Sequence, residues 1–542
     1  MINLTEKAGI IMQEYVVGIS KDNSIMIREA IEYCQKNNIK KLRLERGEYH
    51  FFADTADEHI CCISNHGFNG YKRTVFKLDG MRDFEIDGGG SLFVLHGITN
   101  TFIIDNCENI SLKNFSVLTE KTQHGEFKVL AVGENFVDIE NCGKQDYTYI
   151  WDHLYMINCG KMNLVDSATE IDGKTGEFKE ADQCFGEDWL KLSHKEIKPG
   201  VIRVYNSPKK PDVGNEIIMM TPERYANGIF MKNSKNMSLE NVFVHSCYGM
   251  GFLSQMCENV SMYKCGTDRY EGKLFSCNAD ATHFVGCTGK IDIRECTFRY
   301  QFDDAVNIHG IYTKIIGKTD KTLTVKYMHP DAVGVGLYKK GDRIEICNPK
   351  TLLPEKVCTI ESVKVLNVEC TMLTVKEYTD GIELGFAVDN IDVYPEVLVE
   401  KCIIENNRAR GMLLASRGKT VIKDNYFHTP GTAIKLESDG LEYFEAGCVK
   451  ELVIENNVFD RCKYVAGGWG KDVIFIVPRQ ETEEERYYHG KFVISNNDFS
   501  TCEKSIINPN NIEELYFEGN KLPDNEFKNI TAEHCGKVKI SE

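Results

Sequence analysis

The segment "SKNMSLENVFV", residues 234–244, contains the pattern that decides the fold. Apolar residues alternate with polar ones, a polar pair follows, and another apolar pair closes the phrase. The phrase returns as "CENISLKNFSV" from 107, "CENVSMYKCGT" from 257, "TGKIDIRECTF" from 288, "PEVLVEKCIIENN" from 395, "GKTVIKDNYF" from 418, "VKELVIENNVF" from 449, "GKFVISNNDF" from 490 and "IEELYFEGN" from 512. Alternation with a period of two predicts strands.

The spacing of the phrases indicates how the strands are arranged. Successive Asn-rich turns lie about 18 to 40 residues apart, a period typical of a parallel β-helix with loops of varying length. Asn suits such turns because it tolerates the left-handed conformation and its amide can stack in ladders. A β-sandwich would also give strands, but not this recurring register. We therefore predict an all-β chain that forms a right-handed parallel β-helix, a pectin-lyase-like solenoid.

One helix precedes the strands. In "DNSIMIREAIEYC", residues 22–34, Ile27, Ala30, Ile31 and Cys34 fall on one face, and Asp22 or Ser24 can cap the first turn. A single helix before a long series of strands predicts a cap over the open end of the solenoid, where backbone groups would otherwise remain unpaired.

The repeat is interrupted twice. Residues 119–225 and 311–392 contain strands such as "FKVLAVGENFVDIE", "TLTVKYM" and "DRIEICNP" without the Asn-rich turn. We predict two antiparallel, barrel-like β inserts, which commonly build the walls of a binding cleft beside a rigid scaffold. The predicted segments are the cap and first coils (1–118), the first insert (119–225), coils with an acidic cluster (226–310), the second insert (311–392) and the C-terminal coils (393–542).

The composition excludes several classes of protein. Among 542 residues, 42% are hydrophobic and 27% charged, which is ordinary for a folded protein. A net charge of −17 argues against a nucleic-acid partner. No run approaches the roughly 20 apolar residues of a membrane helix.

The 21 cysteines are odd in number and scattered, which predicts free thiols. The N-terminus does not resemble a signal peptide. We expect a cytoplasmic protein.

The segment "YQFDDAVNIHG", residues 300–310, places two aspartates before a strand. Val306 and Ile308 should point into the core, so that Asp303, Asn307 and His309 point to solvent. A lone Asp at a strand entrance is usually a turn former, and a pair alone would still be a turn or a solvated face more often than not.

A third carboxylate changes this interpretation. One coil earlier, "CNADATHF" has the same pattern, with His283 pointing outward. Aligning the two phrases places Asp280 beside Asp304, on coils about 4.8 Å apart. Asp280, Asp303 and Asp304 are therefore expected to crowd together. Such a cluster can cleave a glycosidic bond, because one protonated carboxyl donates to the leaving oxygen while an ionised one activates water. Crowding raises the pKa of one member.

Further polar groups share this face. "GTAIKLES" from 431 buries its apolar residues and exposes Lys435 and Glu437. Together with His283, Asn307, His309 and the apolar "RGMLLAS" from 410, they make the mixed surface that a sugar-binding groove requires. A dense basic lining is missing, which favours a neutral sugar. No His/Cys spacing matches a metal site, and "GGGS" at 88–91 lacks the helix and lysine of a phosphate loop, so no metal or cofactor is expected. Cys287, Cys296 and Cys402 recur at similar positions and predict a buried core ladder.

Several motifs together resemble glycoside hydrolase family 110, over roughly residues 40 to 465. They are "GEYHFF", "SNH", "GSLFVLHG", "YGMGFLSQMCENVSM", "DATHFVGCTGKIDIRECTF", "FDDAVNIHG", "NRARGMLLAS" and "LEYFEAGCVKELVIENNVF". "DATHF", with "DDAVNIHG" one coil later, is fairly specific. So is "YFEAG", where Tyr443 replaces the Trp that the family tends to have.

The resemblance implies an inverting exo-α-1,3-galactosidase that acts without a metal on terminal α-1,3-linked galactose, as in blood-group B or linear α-galactosyl glycans. Carried over by motif, Asp280, Asp303 and Asp304 become the catalytic carboxylates. The sequence leaves open which is the acid and which the base; position alone favours Asp280 as the acid and the pair on the base side. Arg410 and Glu445 become substrate contacts. The expected partner is a carbohydrate, and neither nucleic acid nor membrane is expected. A homodimer formed through the inserts is a further expectation.

Two alternatives stay open at this point. The first is another inverting β-helix hydrolase, which would act on a different α-linked sugar or be of the polygalacturonase type. The polygalacturonase type would use an "N-x-D", a "DD" and a "GHG". Here "NAD", "DD" and "HG" fit in part, but the Arg-x-Lys that would bind a uronate is not evident. A non-catalytic glycan-binding solenoid would instead keep sugar binding when the three aspartates are replaced by Asn, and would show no turnover at all.

Overall fold

The computed structural model describes residues 14–66, 70–143, 145–180, 182–465, 469–477, 481–483, 485–503, 505–523 and 530–541. Nearly all regular structure in these ranges is β-strand. The helices that they contain are too short or too polar to cross a membrane.

The N-terminal part contains the sole α-helix of the described residues and the first coils. Its elements are β1 (Tyr15–Val17), α1 (Ser24–Lys36), β2 (Lys41–Leu44), β3 (Glu48–Phe52), β4 (Asp57–Ile60), β5 (Tyr71–Asp79), β6 (Arg82–His96), β7 (Asn100–Asp105) and β8 (Glu108–Thr119).

The helix has the predicted buried face and covers the first strands. Ile27, Ala30, Ile31 and Cys34 are all buried in the main core. Asn23 occupies the N-cap position, and neither of the two predicted capping residues does. The carboxylate of Asp22 nevertheless accepts a hydrogen bond from the first backbone N–H of the helix. Because α1 packs on β1, β2 and β5, at the start of the strand ladders, it caps the solenoid as predicted.

The first insert is an antiparallel sheet. Its strands are β9 (Gly125–Val132), β10 (Phe136–Asn141), β11 (Asp146–Ile150), β12 (His153–Asn158), β13 (Lys161–Leu164), β14 (Ser167–Ile171), β15 (Phe178–Glu180), β16 (Ser193–Lys198), β17 (Val201–Tyr205) and β18 (Glu216–Met220), with a 3₁₀ turn at Trp189–Lys191. Seven strands pair in the order β15-β14-β18-β9-β10-β17-β16, and β11, β12 and β13 form a separate sheet. The antiparallel pairing agrees with the prediction for this insert; within the described residues β15 and β16 do not pair, so its sheet is open rather than a closed barrel.

The middle coils lead into the second insert. The coil strands are β19 (Ile229–Lys232), β20 (Lys235–Val244), β21 (Phe252–Gln255), β22 (Glu258–Tyr263), β23 (Gly266–Thr267), β24 (Thr282–Val285), β25 (Thr288–Arg294), β26 (Thr297–Arg299) and β27 (Val306–Ile311).

The second insert is a closed antiparallel barrel. Its strands are β28 (Thr313–Lys318), β29 (Thr322–Tyr327), β30 (Arg343–Cys347), β31 (Pro354–Val365), β32 (Cys370–Val375) and β33 (Ala387–Asn390), with a 3₁₀ turn at Pro330–Ala332. They pair in the order β28-β29-β32-β31-β30-β33, and β33 returns to β28. The barrel-like prediction is confirmed here.

The C-terminal coils complete the chain. Their strands are β34 (Glu396–Glu400), β35 (Ile403–Glu405), β36 (Met412–Ala415), β37 (Thr420–Lys423), β38 (Tyr426–His428), β39 (Ile434–Leu436), β40 (Glu445–Ala446), β41 (Glu451–Glu455), β42 (Val458–Phe459), β43 (Ile474–Ile476), β44 (His489–Ser495), β45 (Ile507–Asn508), β46 (Asn510–Glu518) and β47 (Glu533–Ser541).

Two parallel ladders run the length of the solenoid, which confirms the β-helix. One contains β2, β6, β8, β20, β22, β25, β34, β37, β41, β44, β46 and β47. The other, here named the site ladder, contains β5, β7, β19, β21, β24, β27, β36, β39, β43 and β45. Inward side chains stack from coil to coil between the ladders. Phe76 and Phe102, for example, lie with ring centroids 4.3 Å apart. Cys287, Cys296 and Cys402 are buried in this core, as predicted.

The Asn-Asn pairs of the repeat divide two tasks between them. The first residue takes a positive φ, as at Asn456 (57°) and Asn496 (56°), and turns the chain. The second points inward and stacks, so that the amide of Asn457 donates to the oxygen of Asn497 at 2.9 Å, and similar bonds join Asn425 and Asn520 to the row. Both predicted uses of Asn are therefore present.

The inserts leave the stacking of the coils intact. Glu108 of β8 pairs with Lys235 of β20, although 127 residues separate them along the chain. Across the barrel, Lys290 of β25 likewise pairs with Glu396 of β34. Each insert is thus an excursion between two coils that stack directly on each other.

Candidate active site

Asp280, Asp304 and Arg410 stand at equivalent positions of three successive coils. The register pairs the first residue of β24 with that of β27, and the first residue of β27 with that of β36. Each of the three residues lies two positions before its strand. The alignment of Asp280 with Asp304 therefore agrees with the prediction, and the next coil contributes a guanidinium to the same row.

Asp304 lies beneath the surface in an ion pair. Its side chain is 0% exposed. Arg410 donates from Nε to Oδ1 at 2.6 Å and from a terminal nitrogen to Oδ2 at 2.7 Å, and its backbone N–H donates to Oδ1 as well. Burial raises the pKa of Asp304, and the positive charge of Arg410 opposes this. Both oxygens of Asp304 are therefore already engaged.

Asp303 lies between two guanidinium groups. Arg224 donates to Oδ2 at 3.0 Å, and Arg410 lies 3.5 Å from Oδ1. Burial alone would raise the pKa of Asp303, but the charges of Arg410 and Arg224 lower it below its usual range. This carboxylate is held in its ionised form.

Asp280 is in the opposite electrostatic situation. Its Oδ1 accepts the backbone N–H of Asp304 at 3.1 Å, and its Oδ2 lies 2.6 Å from Nδ1 of the buried His283. Burial, followed by the negative charge of Asp303, raises the pKa of Asp280 to about 7. The environment thus raises the pKa of Asp280 and lowers the pKa of the neighbouring Asp303, which is the pattern of an acid and base pair.

A chain of hydrogen bonds runs from Asp280 through two buried histidines. Asp280 Oδ2 lies 2.6 Å from His283 Nδ1, and His283 Nε2 lies 3.0 Å from His309 Nε2. His309 Nδ1 lies 2.6 Å from the Gly310 carbonyl, which can only accept, so Nδ1 carries a hydrogen. The two rings therefore hold the Asp280 carboxyl in a fixed position below the cavity.

These groups lie at the bottom of a cavity of about 720 Å³. Among the predicted site residues, those that line it are Asp280, Asp303, Asn307, Arg410, Lys435, Glu437 and Glu445. The remaining lining residues are Asn65, His66, Lys72, Pro222, Glu223, Arg224, Tyr225, Asp331, Leu413, Asp439, Tyr443 and Trp469. A cavity of this size with convergent polar groups and shifted pKa values is the form of an active site.

Comparison with known proteins identifies relatives over most of the chain. An alpha-1,3-galactosidase B of Phocaeicola vulgatus is 31% identical over 518 residues, which cover 89% of this chain and 84% of the relative. The chain belongs to the alpha-1,3-galactosidase family. An alpha-1,3-galactosidase A of Shewanella woodyi is 29% identical over 515 residues, which cover 93% of this chain and 84% of that one.

Two other comparisons concern the barrel and the fold as a whole. A family model described as GLAA-B beta-barrel domain II matches residues 322–385, within the closed barrel. The A-module of mannuronan C-5 epimerase AlgE4 from Azotobacter vinelandii superposes with a TM-score of 0.39 and 10% sequence identity, over 97% of this chain and 96% of that one. At this level of similarity, the superposition supports no statement about the chemistry of this alpha-1,3-galactosidase family member.

The predicted exposure of the outward row is wrong. His283, Asn307, His309 and Lys435 do point away from the solenoid core, but they are 0%, 5%, 5% and 9% exposed. Segments that sequence periodicity could not place lie over them. For instance, β40 pairs with the end of β27 at Gly310 and Ile311, next to His309 in the chain. In this alpha-1,3-galactosidase family member, His283, His309 and Asp304 lie below the cavity rather than in its lining.

Several lining residues were not predicted. Arg224 and Tyr225 follow the last strand of the first insert, where the chain returns to the coils, and Lys72 belongs to β5 at the start of the site ladder. Trp469 lies between two C-terminal coils, with the guanidinium of Arg408 4.8 Å from its ring. The only signal in the sequence was position, because each lies at the edge of an insert or a long loop.

One loop owes its shape to a single carboxylate. The side chain of Asp439 accepts backbone N–H groups from Leu441, Glu442 and Tyr443. This turn presents Tyr443, which is 53% exposed, at the cavity wall beside His329. Beneath it, Lys435 and Glu437 form an ion pair that is almost buried.

The three carboxylates lie close enough to hold a metal ion, with one oxygen of each within 4.8 Å of the others. Two guanidinium groups already balance the charge of this cluster, however, and both oxygens of Asp304 are occupied by Arg410. The donor set therefore does not fit a divalent cation, which requires unencumbered carboxylate oxygens.

Proposed function

We propose that this protein is an exo-acting, inverting α-1,3-galactosidase that removes terminal α-1,3-linked galactose from glycans of the linear α-galactosyl or blood-group B type. Membership of the alpha-1,3-galactosidase family supports a glycoside hydrolase with a carbohydrate substrate. The observation that carries the mechanism is the pair of carboxyls at the bottom of the cavity, one with a raised and one with a lowered pKa.

Asp280 has the properties of the general acid. As the C–O bond to galactose breaks, Asp280 gives its proton to the leaving oxygen, so that the departing sugar leaves as a neutral hydroxyl. His283 and His309 hold the carboxyl in place from below. The raised pKa keeps this proton available near neutral pH.

Asp303 has the properties of the general base. It accepts a proton from water as the water oxygen bonds to the anomeric carbon. After one turnover, Asp303 carries a proton and Asp280 lacks one, and exchange with solvent restores the starting state. Asp304 acts as a positioning residue, because it fixes Arg410 beside Asp303 and its backbone N–H binds Asp280.

The remaining lining groups provide the sugar contacts. Asn307, Lys435, Glu437 and Glu445 supply donors and acceptors for the hydroxyl groups of galactose. Trp469 and Tyr443 offer aromatic surface for the apolar face of the ring. Arg410 also lines the cavity, beside Asp303 and Asp304.

The spacing of the carboxylates favours a second candidate mechanism. Their closest oxygens lie within 4.8 Å, nearer to the ~5–5.5 Å of retaining glycosidases than to the ~6.5–9.5 Å of most inverting ones. In a retaining enzyme, Asp303 would attack the anomeric carbon directly. Inversion remains our proposal because it is what the resemblance to glycoside hydrolase family 110 implies.

NMR of the first product tests the function and the mechanism. Purified protein is given Galα1-3Gal and, separately, the fucosylated B trisaccharide. We expect β-galactose first, and a loss of at least about 1,000-fold in kcat in Asp280→Asn and Asp303→Asn. Asp320→Asn, an exposed aspartate on the barrel, is the matched control and should retain full activity.

Each outcome has a separate meaning. α-Galactose as the first product would overturn inversion and support Asp303 as a nucleophile. Full activity in both site variants would overturn the assignment of the site. No galactose from either glycan, with the protein folded, would overturn the substrate. Cleavage of one glycan alone would show whether fucose is required or excluded.

A further inference from the structure

A second cavity adjoins the first. It has a volume of about 510 Å³ and shares Lys72 and Tyr225 with the cavity that contains the aspartates. Its walls come from the first coils and from β13 of the first insert. No residue of the catalytic cluster lines it. The two cavities thus adjoin at Lys72 and Tyr225, and a ligand longer than one sugar that extends past these side chains could occupy both.

Aromatic rings form part of the second cavity. Phe52 is 37% exposed, and its ring stacks on that of His96 with centroids 4.5 Å apart and planes at 14°. Tyr71, 49% exposed, lines the same space. Exposed rings held flat by a neighbour suit the apolar C–H face of a pyranose, because they bury apolar area at little cost in side-chain entropy.

Two lysines of the second cavity, one of which also lines the first, lack a negative partner among the described residues. Lys72 is only 5% exposed, and within the described residues its ammonium has neither a hydrogen bond nor an ion pair. Lys161 lies over the ring of Tyr225 at 4.6 Å, again with no carboxylate partner in the part of the chain that the structure describes. An uncompensated buried ammonium is unfavourable, and burial lowers the pKa of Lys72.

The other cations of both cavities are paired, which makes these two distinctive. Arg410 pairs with Asp304, Arg224 with Asp303, Lys435 with Glu437, and Arg73 with Asp54. In a chain with a net charge of −17, two ammonium groups left without carboxylates form a local site for an anion.

We propose that the second cavity binds the sugar on the leaving-group side of the scissile bond, and that Lys72 and Lys161 bind an anionic substituent of that sugar, a sulfate ester or a carboxylate. This inference rests on the proposed function. It is compatible with a neutral terminal galactose, because every cation of the first cavity other than Lys72 has a carboxylate partner. The anionic group belongs to the second sugar.

The test compares three disaccharides that share the terminal sugar. Galactose is α-1,3-linked to galactose, to 6-sulfogalactose or to galacturonic acid, and kcat/KM is measured for each. We expect at least about a tenfold preference for one anionic substrate over the neutral one, the effect of one charge-assisted contact. The two anionic substrates distinguish sulfate from carboxylate. The preference should fall at about 1 M salt, where exposed charges are screened.

Variants assign the effect to the lysines. In the double variant Lys72→Gln/Lys161→Gln, the ratio of anionic to neutral kcat/KM should fall to about one. Lys174→Gln changes an exposed lysine of the same insert that lines neither cavity, and it should keep the wild-type ratio. If the double variant does not fold, Lys161→Gln alone, at the surface, should still lower the ratio.

A binding measurement separates this inference from the proposed function. Saturation-transfer NMR with free 6-sulfogalactose and free galacturonate needs no turnover. Binding that disappears in the double variant supports the second cavity even if no disaccharide is cleaved. Galactose release from all three substrates at equal kcat/KM, with no binding of either anionic sugar, would overturn the inference and leave the galactosidase proposal standing.

Discussion

At the scale of single residues, two adjacent aspartates with the same chemistry end in different places. Asp303 keeps 17% of its side chain exposed at the bottom of the cavity, whereas Asp304 is fully buried against Arg410. The pair lies in a bend just before β27, and its two side chains are divided between the cavity and the layer below it. Asp303 can therefore contact the substrate, while Asp304 holds Arg410 in position.

The charge states of the carboxyls predict a pH profile. Asp280 must hold its proton to act as an acid, and its pKa is raised to about 7, so activity should fall as the pH rises through about 7. Asp303 must be ionised, and its pKa is lowered, so activity should fall only below the usual carboxyl range. Measurement of kcat/KM from pH 3 to 9 checks both limbs. A rate that stays constant from neutral to alkaline pH would contradict Asp280 as the acid.

The buried pair of Arg410 and Asp304 should matter for stability. Arg410→Met leaves the carboxylate of Asp304 without its partner, and we expect a loss of about 3–5 kcal/mol in the free energy of unfolding, measured with denaturant. The matched control is Arg343→Met, which breaks an exposed two-armed pair with Asp392 and should cost about 1 kcal/mol or less. Equal losses in the two variants would show that burial of the pair is not what counts.

At the scale of elements, the repeat phrase predicted the coils well, because its Asn-Asn pairs have a direct physical cause. The first Asn of each pair turns the chain and the second stacks, as at Asn496 and Asn497. The absence of the same phrase was the basis for the predicted bounds of the two inserts. It could not predict that one insert closes into a barrel and the other does not. That difference depends on the pairing of β28 with β33, whose paired residues lie 73 and 75 positions apart along the chain, and no local pattern encodes it.

The inner Asn row should contribute measurably to stability. Asn457 donates to the Ile422 carbonyl and to Asn497, and it accepts from Asn425. Asn457→Ala removes these bonds and leaves buried groups unpaired, so we expect a loss of about 1–3 kcal/mol in the free energy of unfolding. Thermal and denaturant unfolding measure it. Asn135→Ala, in an exposed turn of the first insert, should change stability by less than about 0.5 kcal/mol. A similar change in both variants would refute the role of the row.

At the scale of the whole molecule, the cavity is assembled from distant parts of the chain. The three aspartates follow from the register of two neighbouring coils, and for that reason the sequence could predict them. Arg224, Lys72 and Trp469 could not be predicted, because they reach the same cavity from the end of an insert, from the first coils and from a late loop. Their contribution depends on how the chain passes over the solenoid, which alternation of residues does not specify.

The cysteines give a test of the whole fold. All 21 are free thiols: Cys142 and Cys159 are exposed, Cys62, Cys370 and Cys535 are half-buried, and the rest are buried. Mass spectrometry after brief treatment of the native protein with a maleimide should find label mainly at the two exposed sites. Labelling in denaturant without reductant should reach all 21. Fewer labels in denaturant would reveal disulfides and would contradict the reducing, intracellular compartment that we propose.

The pairing of β8 with β20 also bears on the order in which the chain folds. Closing a loop of 127 residues rather than about 24 costs about 1.5 kcal/mol more in chain entropy. A folded first insert shortens the flexible part of this loop and lowers that entropy cost, so we expect β8 and β20 to pair after the insert has folded. During synthesis, the ribosome would release the complete first insert before β20 emerges. The early coils would wait with an unpaired edge at β8, the position at which a newly made chain is most exposed to association with another copy of itself.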